Sequence, residues 1–402
     1  MRRGVLSVIV VMVGTVLTGC GATSTPTNAP PPSTAPAMPR SACVIGSYTP
    51  AKKRPNVPAK LLPVLLKEAA IRPVTMVAGG NGWAYARERI WSISHAGAVW
   101  EEVWRHPEPI LAFFASSSRA AWAVTARPDA VRVTVWHTTN GGRTWVSGFV
   151  ATHWHIAEAF LSLDVHGNGR ILLTGFPAPL NAPADLFPVE QGRVGTVPLW
   201  ESRSSGISNI VFPSVQDGLA VDQGAAWPPD INAPLFRTTD GGVAWRTVTV
   251  PNPPHLAPPT SPGRQQFFIN PPLDFVSPSL GYAAFTYPAS VLYRTRDGGA
   301  AWSPIHMPPV TRGYGISTTW LTATTGWVMA ASKGPSVLWG TTNGGAAWTR
   351  LATGYFSFMP QFVSARQGWA FIVPRNPNPY GGPLTFVRTA NGGRTWLPVA
   401  IR

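Results

Sequence analysis

An eight-residue phrase, T-x-[ND]-G-G-x-[TA]-W, occurs five times in this chain and ends at Trp145, Trp245, Trp302, Trp348 and Trp396. A worn copy, "ISHAGAVW", ends at Trp100. Successive tryptophans are spaced 45, 100, 57, 46 and 48 residues apart. The doubled interval holds one further unit, from about Glu158 to Glu201, where "LFPVEQGRVGTVPLWE" has lost the phrase. The count is then seven units, and a repeat array of this period is one domain however long it runs.

Each unit also has a first half. Before each phrase stands a small or glycine-led apolar run, such as "NGWAYA" (81–86), "RAAWAV" (119–124), "LGYAAF" (280–285), "TGWVMA" (325–330) and "QGWAFI" (367–372). Four short strands per unit, A to D, follow, with the phrase forming the C–D turn. Asn or Asp accepts backbone hydrogen bonds there, the glycines supply positive φ, and the Trp returns on strand D to cover the turn. Charged residues are only 12% of the chain, against about 25% in average globular proteins. With 43 Pro, 39 Gly and 18 Trp, the composition suits short strands and tight turns rather than amphipathic helices. The expected fold is all-β: a seven-bladed β-propeller over residues 74–402, monomeric, because no single unit can bury both faces of its sheet.

The phrase resembles the Asp-box, or BNR repeat. Its five full copies are Asn140, Gly141, Gly142 and Trp145; Asp240, Gly241, Gly242 and Trp245; Asp297, Gly298, Gly299 and Trp302; Asn343, Gly344, Gly345 and Trp348; and Asn391, Gly392, Gly393 and Trp396. Asp-boxes occur in exo-sialidases and sortilin-type receptors. Alternating "GWAVG"-like strands with such boxes is most similar to the photosystem II stability/assembly factor family. That resemblance implies a seven-bladed propeller with a scaffold or assembly role.

The chain opens "MRRGVLSVIVVMVGTVLTGC", with a basic start and an apolar run from Val5 to Leu17. The run is short of the roughly 20 residues that span a bilayer and fits a secretory signal. Its ending resembles a bacterial lipobox, which implies cleavage after residue 19 and a lipid on Cys20. Residues 20–42 then read as the lipidated Cys and a Pro/Ser/Thr-rich disordered tether. Residues 43–73 are transitional, and "PAKLLPVLLKEAA" suggests one short helix. The expected location is extracytoplasmic and membrane-anchored, at the outer membrane where the envelope is diderm. Cys43 is left as a lone thiol, so no intramolecular disulfide and no zinc-type spacing arise.

The formal net charge of +15 favours anionic partners, such as a wall or membrane polymer. No basic helix and no aromatic–basic pattern points to nucleic acid. No glycine-rich phosphate loop opens a helix, and no cofactor is implied. Each box offers at most one carboxylate, too few oxygens for a hard cation. His153 and His155 in "THWH" would share a face if the segment were a strand, but no third metal ligand is near, and a partly exposed loop between blades is the favoured reading. A sialidase would show an Arg-Ile-Pro motif; Ile71-Arg72-Pro73 has the order wrong. The 17 acidic residues show no spacing that promises the carboxylate pair of a glycoside hydrolase. The expected role is therefore non-catalytic binding of an envelope protein or polymer, with a sialidase-type enzyme as the alternative. Because the boxes occupy one face, binding is assigned to the long B–C and D–A loops opposite. The candidate contacts are Trp227, Asp230, Asn232, Arg264, Arg312, Tyr314, Arg375, Asn378 and Tyr380, types that anchor interfaces.

Overall fold

The computed structural model describes residues 46–48, 74–175, 182–203, 207–222, 235–251, 269–285, 290–310, 316–331, 334–373 and 384–402. These form seven antiparallel sheets, each contiguous in sequence apart from one added strand, in a seven-bladed β-propeller. Blade I consists of Thr75–Val77, Asn81–Ala86, Arg89–Ser94 and Val99–Arg105. Blades II to VII span residues 110–151, 156–202, 207–248, 269–305, 316–354 and 361–398. First strands of neighbouring blades lie side by side from blade II to blade VI and again across the seam of VII with I. They therefore surround the axis. Both degenerate units form blades. In blade III the outer strand is split into Arg193–Val194 and Trp200–Ser202, both paired with Ala184–Glu190.

The repeated turn closes on itself. In blade IV the Thr238 hydroxyl donates to Asp240 Oδ1 (2.7 Å) and accepts from the Gly242 N–H (2.9 Å). Asp240 Oδ1 also accepts from the N–H groups of Val243 (3.1 Å) and Ala244 (3.0 Å). The Gly241 N–H reaches the Gln216 carbonyl in the turn between the first two strands, at 2.8 Å. Gly141, Gly298, Gly344 and Gly392 make the equivalent bond. Both turns of a blade therefore share one face of the ring, leaving the B–C and D–A connections on the other.

The tryptophan ending the phrase has three fates. Trp245, Trp302 and Trp396 donate to the carbonyl of their own second glycine at 3.1, 3.1 and 3.0 Å. Trp348 instead reaches the His306 carbonyl at 2.9 Å. The buried Trp145 indole N–H has no hydrogen-bond partner among the described residues. Blade I keeps this element of the turn without the rest: Trp100 donates to the Gly97 carbonyl at 2.9 Å. Its turn carries Ile93 where the five full copies have Thr, so His95 and Ala96 hold φ of 53° and 55° without a side-chain cap from that position.

Neighbouring blades are joined by the residue that follows the glycine of the second strand. The Trp83 indole donates to the Ser117 carbonyl of blade II at 2.8 Å, and the Tyr282 hydroxyl to Ala323 of blade VI at 2.9 Å. Trp327 reaches Gly392 of blade VII at 3.1 Å, and Trp369 reaches Ala96 of blade I at 3.0 Å. Arg170 does the same in blade III, reaching Gly241 (2.6 Å) and Val215 (2.9 Å) of blade IV. Leu219 of blade IV has no donor to offer, and Arg237 on the next strand supplies one to the Gly298 carbonyl at 3.0 Å. Rings add to this. Tyr282 stacks on Trp320 at 3.6 Å and Trp327 on Phe362 at 3.7 Å, both across a blade boundary. The glycine must be bare: a Cβ on Gly326 would lie 2.4 Å from the Trp320 ring.

The ring closes without a shared strand. Trp100 of blade I meets Phe386 of blade VII edge-on at 5.5 Å. The Met76 N–H donates to Gln361 Oε1, and the Arg402 N–H donates to the Ala98 carbonyl at 2.8 Å. Within the transitional segment, Gly46–Tyr48 pairs antiparallel with Trp145–Ala151, adding a fifth strand to blade II. The expected signal at 1–19, Cys20 with its tether, and the helix expected at 58–70 lie outside the described residues. Among the described residues no helix is long and apolar enough to cross a membrane.

Two substitutions at equivalent turns should move stability in opposite directions. Gly299 has φ of 88°, and a Cβ there would sit 2.7 Å from Leu219. Gly299→Ala should cost about 2–3 kcal/mol through strain and overpacking. Ala96→Gly should add about 0.5–1 kcal/mol by relieving a positive φ. Urea midpoints of the two variants check both signs; a neutral Gly299→Ala would show that the turn yields freely.

Candidate functional site

The nine candidate contact residues all fall in segments outside the described residues. Residues 223–234 and 374–383 are flanked by second and third strands; residues 252–268 and 311–315 are flanked by a fourth strand and the next first strand. The described residues of this B–C/D–A face include the link between blades II and III, where the buried Asp185 is recessed beside the exposed His153 and Glu201.

The recess is built from the segment "THWH" and the edge of blade III. The sequence offered two readings of His153 and His155, a strand that would put them on one face or a partly exposed loop between blades, and the loop is found, with both histidines exposed. Residues 152–155 form an irregular bend between Trp145–Ala151 and Ile156–Leu163. Thr152 holds the bend, its N–H donating to the Val131 carbonyl (2.8 Å) and its hydroxyl to the Trp154 carbonyl (2.6 Å). His155 Nδ1 lies 2.6 Å from the Asp129 carbonyl oxygen. Trp154 lies against the end of the second strand of blade III, where a Cβ on Gly175 would meet its ring at 2.8 Å. Among the described residues no group of three His, Cys, Asp or Glu is placed to hold a metal ion.

A carboxylate pair stands in this recess, which the sequence spacing did not promise. Asp185 pairs in register with Glu201 across antiparallel strands. Side chains directly opposite share a face of the sheet, with Cβ atoms about 4.5–5.5 Å apart. Asp185 is buried, and Glu201 is exposed. Burial pushes the Asp185 carboxyl up to about 6, the Glu201 charge adds to the rise, and His153 and a hydrogen bond from the Trp154 side chain oppose it. Glu158 is also raised by burial, but it pairs with Thr174 and so faces the other side of the sheet. The recess thus combines an aromatic surface, a carboxyl that changes charge near neutrality, a second exposed carboxylate and a histidine. Such a set can receive a cationic or hydroxyl-rich group.

A further carboxyl that the sequence reading missed is Asp274 on the inner strand of blade V. It is 5% exposed, is pushed up to about 7 by burial, and accepts the Trp320 N–H at 2.7 Å. Asp274 ties blade V to blade VI and takes no part in the recess. The box carboxylates behave in the opposite way. Burial pushes Asp240 and Asp297 up slightly, but hydrogen bonds from their own turns outweigh it and hold both below the usual range.

No protein-family model matches this chain, and no curated protein matches it in sequence. Solved structures do match. YCF48 from Cyanidioschyzon merolae aligns with a TM-score of 0.50 at 13% identity, over 80% of this chain and 95% of that one. The GH74 xyloglucanase from Xanthomonas campestris aligns with the same score and identity, over 81% of this chain. A prolyl endopeptidase aligns at 0.50 and 9% identity over 85% of this chain. The alignment spans only 52% of each of these two enzymes. At such identities the likeness is one of fold, and one fold hosts many functions.

The raised carboxyl has a consequence for stability. A folded-state value of about 6, against about 3.9 in an unfolded chain, means that the native state binds the proton more tightly. Stability then falls as pH rises from 4 to 6 and stays reduced above that. Asp185→Asn cannot titrate. It should match the parent at pH 4 and exceed it at pH 8 by about 1–2 kcal/mol, in thermal or urea unfolding. Equal stability at pH 8 would place Asp185 in water instead.

Proposed function

We propose that this chain is an extracytoplasmic lipoprotein, held to the membrane at Cys20, whose propeller acts as a non-catalytic binding or assembly scaffold for a protein of the envelope. The observation that carries this reading is the state of the best-placed carboxylate on the loop-rich face. Asp185 is buried and engaged by the Trp154 side chain, so it shapes a recess rather than standing free to protonate a leaving group. Half-buried Trp beside charged side chains is the composition of an interface anchor. The YCF48 chain, which this chain spans over 95% of its length, is a fold-level companion to the same reading. Anionic wall polymer is the other partner that the net positive charge suits.

The glycan-processing alternative has one observation in its favour, the Asp185–Glu201 pair. Glycosidase carboxyl groups stand about 5–9.5 Å apart, and an in-register pair falls near the lower end of that range.

Two experiments test the scaffold reading. Immobilised residues 42–402 should recover a defined envelope partner, and Trp154→Ala should reduce recovery at least tenfold. Nothing above background with the parent chain would defeat the proposal. Glycan turnover abolished by Asp185→Asn would replace it with the enzyme. Separately, Cys20→Ala should move the protein from the membrane to the soluble fraction; a variant that still sediments with membranes removes the lipid anchor.

A further inference from the structure

The acidic residues are unevenly distributed. Asp297 is the last Asp or Glu in the sequence, and residues 298–402 carry eight Lys and Arg with no acidic side chain. Blades VI and VII are therefore cationic with nothing of their own to oppose the charge. The effect is concentrated on the turn face of blade VII, away from the recess described above. Arg366, Arg388 and Arg394 are all exposed there. Arg366 and Arg394 donate only to backbone carbonyls, those of Ala390 (3.4 Å) and Asn391 (3.3 Å).

Arg388 is explained by comparison with blade IV. The same strand position there is Arg237, two places before the Asp-bearing turn. Its Nε donates to the Gly298 carbonyl of the next blade, and its Nη2 pairs with Asp217 at 3.1 Å. Neither partner exists for Arg388. The residue equivalent to Asp217, three after the capping Ser, is the neutral Gln367. The next blade is blade I, whose worn turn offers Ala96, and the Ala96 carbonyl is already taken by the Trp369 indole. Among the described residues the Arg388 guanidinium has no hydrogen-bond or ion-pair partner. Beside it the seam between blades VII and I leaves a cleft of about 340 Å³. Blade I contributes only Gly79, Gly80 and Ala96 to that cleft, so no acid faces the guanidinium from that side. Gln367 and Thr395 add neutral donors to its wall.

We propose that this seam cleft binds the phosphate group of a ligand, with Arg388 as its principal contact and Arg366 and Arg394 supplying further positive charge. A guanidinium presents a planar fork that matches phosphate oxygens two at a time. Three unopposed cations favour a phosphate carrying close to two charges over a single carboxylate. The site lies on the face opposite the Asp185 recess and stands independently of the scaffold reading.

The test uses the full chain, inorganic phosphate as the probe, and calorimetric titration at constant ionic strength. Phosphate should bind saturably. Arg388→Gln should weaken it at least tenfold. Gln367→Asp should do the same by restoring the pairing that blade IV uses, with the thermal midpoint unchanged or raised; that second variant separates loss of the site from loss of the fold. Phosphatidic acid vesicles, which present a phosphomonoester, then identify the source. Vesicle binding lost in both variants assigns the phosphate to a lipid headgroup. Vesicle binding unaltered by them, with free phosphate lost, assigns it to a soluble phosphoester. No saturable phosphate binding, or binding that both variants retain, overturns the proposal.

Discussion

The ring depends on one recurrent contact, made in five of the seven blades: a side chain at the head of the second strand reaching a backbone carbonyl in the next blade's turns. A four-stranded sheet leaves two apolar faces, and each must be covered by a neighbour held at a fixed angle. Burial alone is non-directional. A directed hydrogen bond from Trp83, Arg170, Tyr282, Trp327 or Trp369 supplies the direction. The bare glycine before it lets the first strand's aromatic lie over the backbone, which brings that aromatic under the ring arriving from the preceding blade. The repeated C–D turn is one half of this joint, and the turn between the first two strands is the other.

The blade count and the strand order were legible because the tryptophans mark them at near-constant spacing. The inter-blade joint was not, although its parts are printed in the sequence. Ser214, Ser277, Thr322 and Ser364 each stand four residues before Gly218, Gly281, Gly326 and Gly368, and each caps the turn between them. That second phrase marks the side chain that blades V, VI and VII direct at the next blade, while blade IV has Leu219 there and uses Arg237 instead. The recess was hidden for a different reason. Asp185 and Glu201 meet because the outer strand of blade III resumes after a break, and a blade without the turn phrase gives no register to count from. His153 and His155 fall in the expected loop between blades, where Thr152 turns the chain out of a strand and strand alternation no longer applies.

The two faces differ in what their charges are doing. On the turn face the carboxylates of Asp240 and Asp297 are occupied by hydroxyl and backbone donors of their own turns. On the loop-rich face Asp185 is kept short of donors and titrates late for a carboxyl. A pH change between 5 and 7 therefore alters one face and leaves the hydrogen bonds of the other in place. The deep carboxyl of Asp274, bonded to the Trp320 N–H, lies between the two within the inner ring.

The seam between blades VII and I has a consequence for how the molecule comes into being. Its contacts join residues far apart in sequence: Met76 to Gln361, Ala98 to Arg402, Ala96 to Trp369. Blade I is made first, and its outer flank, with Trp100 at the boundary, has no cover until blade VII exists. Six blades can stack in order as they emerge, each on the one before, but the first must wait with an apolar face open to water. Such long-range closures are slow and leave surfaces prone to wrong partners. A chain of this design therefore spends its early life needing protection at one end, and gains its closed form only when its final residues arrive.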